Sequence, residues 1–178
     1  MNIGFVGGIR YFDINKVIIK AFENSPDFIL SYIGKQHPGC YLEEYCTSNK
    51  IKNVKFYPTF VNSDKPRIYQ TIDIINSVYG SNTLEVSSAL PNKLYDCILY
   101  KKPIIVSKDT FLNEVVDNYN LGVAVDVETE NIKEKLQEYL SQFNEATFLS
   151  GCAQYLDVVR NEKNECLKKI NKFLKSFI

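Results

Sequence analysis

The sequence predicts an α/β domain, a doubly wound, parallel, six-stranded Rossmann-like sheet with helices on both faces and a helical C-terminal extension. Three observations carry this expectation. Six short runs of the 178-residue chain are apolar with little alternation, as strands buried on both faces must be. Stretches of helical periodicity separate most of them. Beyond Glu130 the strand signal stops and only helical spacing remains. The length suits one domain, residues 1–178, divided into an α/β core over 1–127 and C-terminal helices over 128–178.

The elements follow in order. Asn2–Val6 is the first strand, closed by Gly7-Gly8. Val17, Ile18, Ala21 and Phe22 recur at helical spacing within 15–23, and Ser25-Pro26 stops the pattern. The second strand is 28–33, ending at Gly34-Lys35, and a weaker helix covers 38–46. Val54–Tyr57 is the third strand, 67–70 a helical turn and 72–75 the fourth strand. Leu94 and Ile98 stack one turn apart in a helix over 94–99 that ends at Lys101-Lys102-Pro103. Residues 104–106 form the fifth strand, Phe111–Asn118 a helix and 121–125 the sixth strand. From 130 to 178 three helical pieces are expected, broken near Asn144 and Asn161. In the last, Cys166, Leu167, Ile170, Phe173, Leu174 and Phe177 make an apolar stripe opposite Lys168, Lys169, Lys172 and Lys175. Such a helix either packs on the protein surface or docks on a membrane surface or a partner.

Charge and cysteine content narrow the function classes. Lys and Arg total 21, as do Asp and Glu, so no global field draws the chain to nucleic acid or to an anionic membrane, and any anion site must be local. The five cysteines are scattered, without the CxxC spacing of a zinc or redox site, and are expected to be reduced. The N-terminus lacks a signal-peptide pattern and no apolar run reaches spanning length. A cytoplasmic chain is expected, with peripheral membrane association as its one link to a bilayer.

In a doubly wound sheet, ligands gather beyond the carboxyl ends of the strands. There Gly7 and Gly8 let backbone approach a ligand, and Arg10 and Lys16 offer positive charge to an anion. Gly4, Gly7 and Gly8 are spaced GxxGG rather than GxGxxG, and Ile33-Gly34-Lys35 stands where a dinucleotide fold places its ribose-binding acid. A nicotinamide enzyme therefore ranks low. Pro91, Asn92 and Lys93 open the mid-chain helix, where free amides favour phosphate, and Asp96 follows one turn on. An acid there also stabilises the helix start without any ligand. His37, the one histidine, precedes Pro38 and makes no metal site alone; no DxD pair is present.

The segment LPNKLYDCILYKKPIIVS, Leu90 to Ser107, resembles the signature stretch of family 4 glycosyltransferases, in which an acid lies seven residues before the proline of "GKPVI", as Asp96 does before Pro103. FVGGIR with Lys16 resembles the first-strand loop of that family, NVKFYPTFV its "v-x-f-x-G-x-v" strand, and LNEVVDNYNLGVAVD its "E-x-v-x-x-x-x-x-G-x-x-v" segment. The resemblance implies the nucleotide-sugar-binding half of a two-domain GT-B enzyme whose N-terminal acceptor domain is absent. It implies that Arg10 and Lys16 neutralise the diphosphate leaving group, that Pro91 to Lys93 cradle the phosphates, that Asp96 holds the ribose hydroxyls, and that Tyr57, Pro58, Thr59 and Phe60 contact the base. No cofactor or metal is implied, the donor being a nucleotide diphosphate sugar and the acceptor a saccharide or lipid-linked saccharide. The chain departs from the family at Ser88, where a first glutamate is usual, with Glu85 out of register, at Pro58 for glycine and at Lys101 for glycine. Glu114 matches a family acid without an assigned role. Loss of the first acid leaves a degenerate, non-catalytic binding module as the alternative.

Overall fold

The computed structural model describes residues 1–175 and 177. Six strands form one sheet: β1 (Asn2–Val6), β2 (Ile29–Ile33), β3 (Val54–Tyr57), β4 (Ile74–Ser77), β5 (Ile104–Ser107) and β6 (Gly122–Val125). All neighbours are parallel, in the order β3-β2-β1-β4-β5-β6. The winding reverses between β1 and β4, which is the switch point where such sheets open a crevice. The helices are α1 (Phe12–Phe22), α2 (Leu42–Ser48), α3 (Lys65–Gln70), α4 (Leu84–Ser88), α5 (Asn92–Tyr100), α6 (Phe111–Asn118), α7 (Ile132–Gln142) and α8 (Glu145–Lys175). The predicted fold class is the one observed.

Alternation along each strand distributes side chains to two cores, one on each face. Ile3 and Phe5 of β1, Leu30 and Tyr32 of β2, Ile74 of β4 and Ile105 of β5 join Ile18, Ile19, Phe22 and Leu136 of α1 and α7. Val6, Ile33, Ile75, Ile104 and Val106 meet Leu94, Cys97, Leu112, Val116, Phe148 and Cys152 on the other face. This explains runs that read as apolar throughout: each face is dry. Gly151 lets α8 cross so close to the carbonyl of Tyr119 that a methyl group there would collide with backbone.

Several boundaries differ from expectation, each for a local reason. Helix α1 starts three residues earlier than predicted, because Tyr11 turns in the left-handed region and caps it without a side-chain bond, leaving no capping signature to read. Helix α2 begins at Leu42 rather than 38; Pro38 and Gly39 make a turn, and the Leu42 amide donates to the Gln36 side chain. Strand β4 lies two residues later than 72–75, since its final residues, Asn76 and Ser77, are polar yet 2% and 1% exposed. Ile72 fills the core beside Gly4 instead. Helix α4, capped by Thr83, was not predicted. The break near Asn144 is present, with Asn144 accepting the Thr147 amide, but α8 runs unbroken through Asn161, an exposed position where asparagine costs a helix only a few tenths of a kcal/mol. Of the predicted helical stretch to 178, residues 176 and 178 lie outside the described residues.

Candidate functional site

A cavity of about 250 Å³ opens at the β1/β4 switch point, beyond the carboxyl ends of the strands. Gly8, Arg10 and Tyr11 from the loop after β1 form one wall, and Ser77, Tyr79 and Gly80 at the end of β4 form the floor. Glu85 and Val86 of α4, Ala89 and Pro91 before α5, and Ser107, Thr110 and Leu112 around the start of α6 complete it. The Ser107 hydroxyl accepts the amides of Tyr79 and Gly80, both at 2.9 Å, so the β5 end fixes the turn after β4. Helix α5 starts at this wall with Pro91 as its cap residue and no side-chain cap, which leaves its first amides available to an anion.

The loop after β1 is braced against the loop after β2. Gly7 donates to the Ile33 carbonyl and adopts φ +130°, while the Ile9 amide donates to Lys35 and the His37 amide to Ile9. A Cβ on Gly34 would strike the Gly7 carbonyl, so the two loops touch only because glycine stands there. A Cβ on Gly8 would approach His37 Nε2 to 2.9 Å. That nitrogen accepts a hydrogen bond from Arg10 Nε at 3.1 Å, so His37 aims the guanidinium at the cavity edge. Asn15, fully buried, donates to the carbonyls of Arg10 and Tyr11 and holds the loop from below.

Two polar groups of α5 turn inward. Lys93 is 5% exposed, with Nζ 3.4 Å from the Phe5 ring centroid and donating to the Tyr79 hydroxyl at 2.6 Å. Burial pulls its ammonium down to about 7, opposed by the carboxylate of Asp96 and reinforced by Lys65. Burial likewise pushes the Tyr79 phenol up to about 12, with the Ser77 hydroxyl as the main opposing influence, so Tyr79 stays protonated and accepts from Lys93. Asp96 accepts from Lys65 Nζ on both oxygens, at 3.0 and 2.9 Å, and from the Tyr69 hydroxyl at 2.9 Å. Lys65 and Tyr69 belong to α3, so this cluster ties α3 to α5.

The expected residues therefore separate into groups. Gly8, Arg10 and Pro91 line the cavity, with Gly7, Asn92 and Lys93 beside them in sequence. Asp96 is engaged by α3 rather than open to the cavity. The ammonium of Lys16 lies over the rings of Tyr45 and Phe12, at 5.4 and 6.0 Å, and turns toward α2. Tyr57, Pro58 and Thr59 are exposed at the end of the edge strand β3, and Phe60 packs against the second core. Glu85, out of register in sequence, is at the cavity wall, whereas Ser88 is exposed and donates to the Leu84 carbonyl. Glu114 is exposed in the first turn of α6. Ser77, Tyr79, Gly80, Ser107 and Thr110 were missed by sequence reasoning. The Tyr79-Gly80-Ser81 turn directly after a buried strand was the available signal. Among the described residues, no group of three His, Cys, Asp or Glu is placed to hold a metal ion, and no helix is long and apolar enough to cross a membrane.

No protein-family model matches the sequence, and no curated protein matches it either. Solved structures do resemble the fold. The C-terminal domain of the glycosyl transferase group 1 family protein LpcC from Francisella tularensis superposes with a TM-score of 0.60 at 19% identity, over 91% of this chain and 85% of that one. Anabaena Alr3699/HepE in complex with UDP and glucose gives 0.71 at 15% identity, over 94% of this chain and 48% of HepE. The catalytic domain of cholesterol-α-glucosyltransferase from Helicobacter pylori gives 0.61 at 13% identity, over 91% of this chain and 98% of that one. This chain thus spans about half the length of HepE. It has the fold of the C-terminal domain of GT-B glycosyltransferases.

Proposed function

We propose that this domain binds the donor of a glycosyl transfer, a nucleotide diphosphate sugar, in the cavity at the β1/β4 switch point. The observation that carries the reading is the convergence there of Arg10, held by His37, with the uncapped start of α5. A diphosphate set against both meets a fixed positive charge and backbone donors. Their effect grows as the bond from the anomeric carbon to the diphosphate oxygen breaks and negative charge collects on the leaving group. Lys16 adds to that charge on turning away from Tyr45, and the amides around Asn92 and Lys93 complete the cradle. Asp96 takes the ribose hydroxyls once Lys65 yields one of its oxygens, and the loop Tyr57 to Phe60 borders the base.

The donor carries its own activated sugar, so the transfer is a displacement that calls for no cofactor or metal. The acceptor, a saccharide or lipid-linked saccharide of surface or capsular polysaccharide synthesis at the cytoplasmic side of a membrane, enters through a second domain. The greater length of HepE supports such a domain. A second reading, a nucleotide-sugar-binding module without catalysis, is favoured by Ser88 in place of an acid and by the engagement of Asp96 with Lys65 and Tyr69.

Calorimetric titration of the chain with uridine, guanosine, adenosine and thymidine diphosphate sugars tests the site. One nucleotide series should bind, and Arg10→Ala should weaken it about tenfold or more through loss of a charged hydrogen bond. Binding by none of the four series overturns the proposal. Turnover restored by an added acceptor domain excludes the non-catalytic reading.

A further inference from the structure

Helix α8 leaves the body of the protein halfway along its length. Phe148, Gly151, Cys152 and Tyr155 are buried, Leu156 and Val159 are partly buried against the same core, and every residue from Arg160 to Lys175 is exposed. At about 1.5 Å per residue, this exposed part projects roughly 22 Å. Its surface is sharply divided. Leu167, Ile170 and Leu174 are 47, 47 and 54% exposed and share an apolar arc of about 120° with Cys166 and Phe173. Phe177 follows at 73%, its ring set edge-on to Phe173. Lys168, Lys169, Lys172 and Lys175 occupy the opposite arc with Asn171, none of the four is in an ion pair among the described residues, and the sequence has no Asp or Glu after Glu165.

We propose that this half of α8 is a docking surface for an anionic lipid bilayer. A second copy joined through the same stripe would cover the apolar arc and leave the four lysines of each chain on the outside without a counterpart. A bilayer answers both halves of the helix at once. Acyl chains receive the Leu, Ile and Phe stripe, and anionic headgroups meet ammonium groups whose aliphatic stems lie along the interface. The charge distribution matches only an anionic surface, because a neutral one leaves four lysines without a counterpart. The surface lies on the far half of α8, away from the cavity, so the inference stands independently of the nucleotide-sugar reading.

Co-sedimentation of the full chain with vesicles of phosphatidylcholine containing about one-third phosphatidylglycerol, against pure phosphatidylcholine, provides the test. A polarity-sensitive dye on Cys166 reports insertion, since the other four cysteines are buried. Binding is expected to the anionic vesicles alone, to fall about a hundredfold or more in K168Q/K169Q/K172Q/K175Q, and to weaken in roughly 0.5 M salt. Replacing Ile170 and Leu174 with Asn should abolish both sedimentation and the dye shift. Circular dichroism checks that each variant keeps its helix; if the apolar variant does not, the lysine variant and the salt series decide. Absence of binding to anionic vesicles, equal binding to neutral ones, or a dimer in solution dissolved by the apolar variant would each overturn the proposal.

Discussion

Asp96 ties two helices together through one side chain. Its carboxylate is 11% exposed and takes three hydrogen bonds from α3, two of them from a lysine that is 20% exposed. A pair this enclosed is stable only while both partners remain, because a lone charge left inside is poorly solvated. Lys65→Met should therefore destabilise the fold by about 3 kcal/mol in urea denaturation. The double variant with Asp96→Asn should fall short of the summed single effects by about 1 kcal/mol or more. Additive losses would show that the two side chains act independently. At this scale the sequence was legible where a residue type announces its chemistry, as with Gly8, Arg10 and Pro91. Glu85, Ser107 and Thr110 carry no such mark; they reach the cavity only because β4, β5 and two helix starts converge there. Lys93 was legible in position but not in direction, since nothing local says that its stem runs inward over Phe5.

Among the elements, α8 depends on one position more than on any cap. Gly151 sits where the helix meets the Tyr119 carbonyl, and Tyr119 in turn packs its ring on Tyr155 at 4.9 Å. Gly151→Val should cost about 3 kcal/mol, at the upper end for overpacking, because backbone rather than a movable side chain blocks the new methyl groups. Thermal unfolding measures this, and an unchanged melting temperature would mean that α8 shifts freely on the sheet. Element types other than that of α4 were legible from periodicity, and boundaries only where a local residue marks them, as for β1, β3 and α6. Helix α6 coincides with its predicted span because Thr110 caps it visibly, accepting the Asn113 amide. Helices α1 and α2 start where a left-handed tyrosine or a distant glutamine does the capping, and a sequence shows neither.

For the molecule as a whole, the buried ammonium of Lys93 sets a pH dependence of folding. Its value falls from the ordinary 10.5 to about 7 in the folded chain. Between those limits the unfolded chain holds the proton and the folded chain does not, so stability contributed at this site rises with pH across that window. Urea midpoints should therefore climb from about pH 7 to about pH 10 in the native chain, and the climb should flatten in Lys93→Met. Equal slopes would place the dependence elsewhere. The global architecture was the most legible feature of all, because strands dry on both faces leave a composition that no other layer arrangement requires. The position of the cavity follows from that architecture. In the pairing that creates it, Ile3 meets Ile74, more than twice as far along the chain as Leu30 from Val54 or Ile75 from Ile104. Closing that long loop carries the largest entropic cost in the sheet, whereas each three-stranded half is held by pairings of nearer residues. A ligand lodged in the crevice would span the seam between the two halves, a clasp on the pairing that costs the chain most to close.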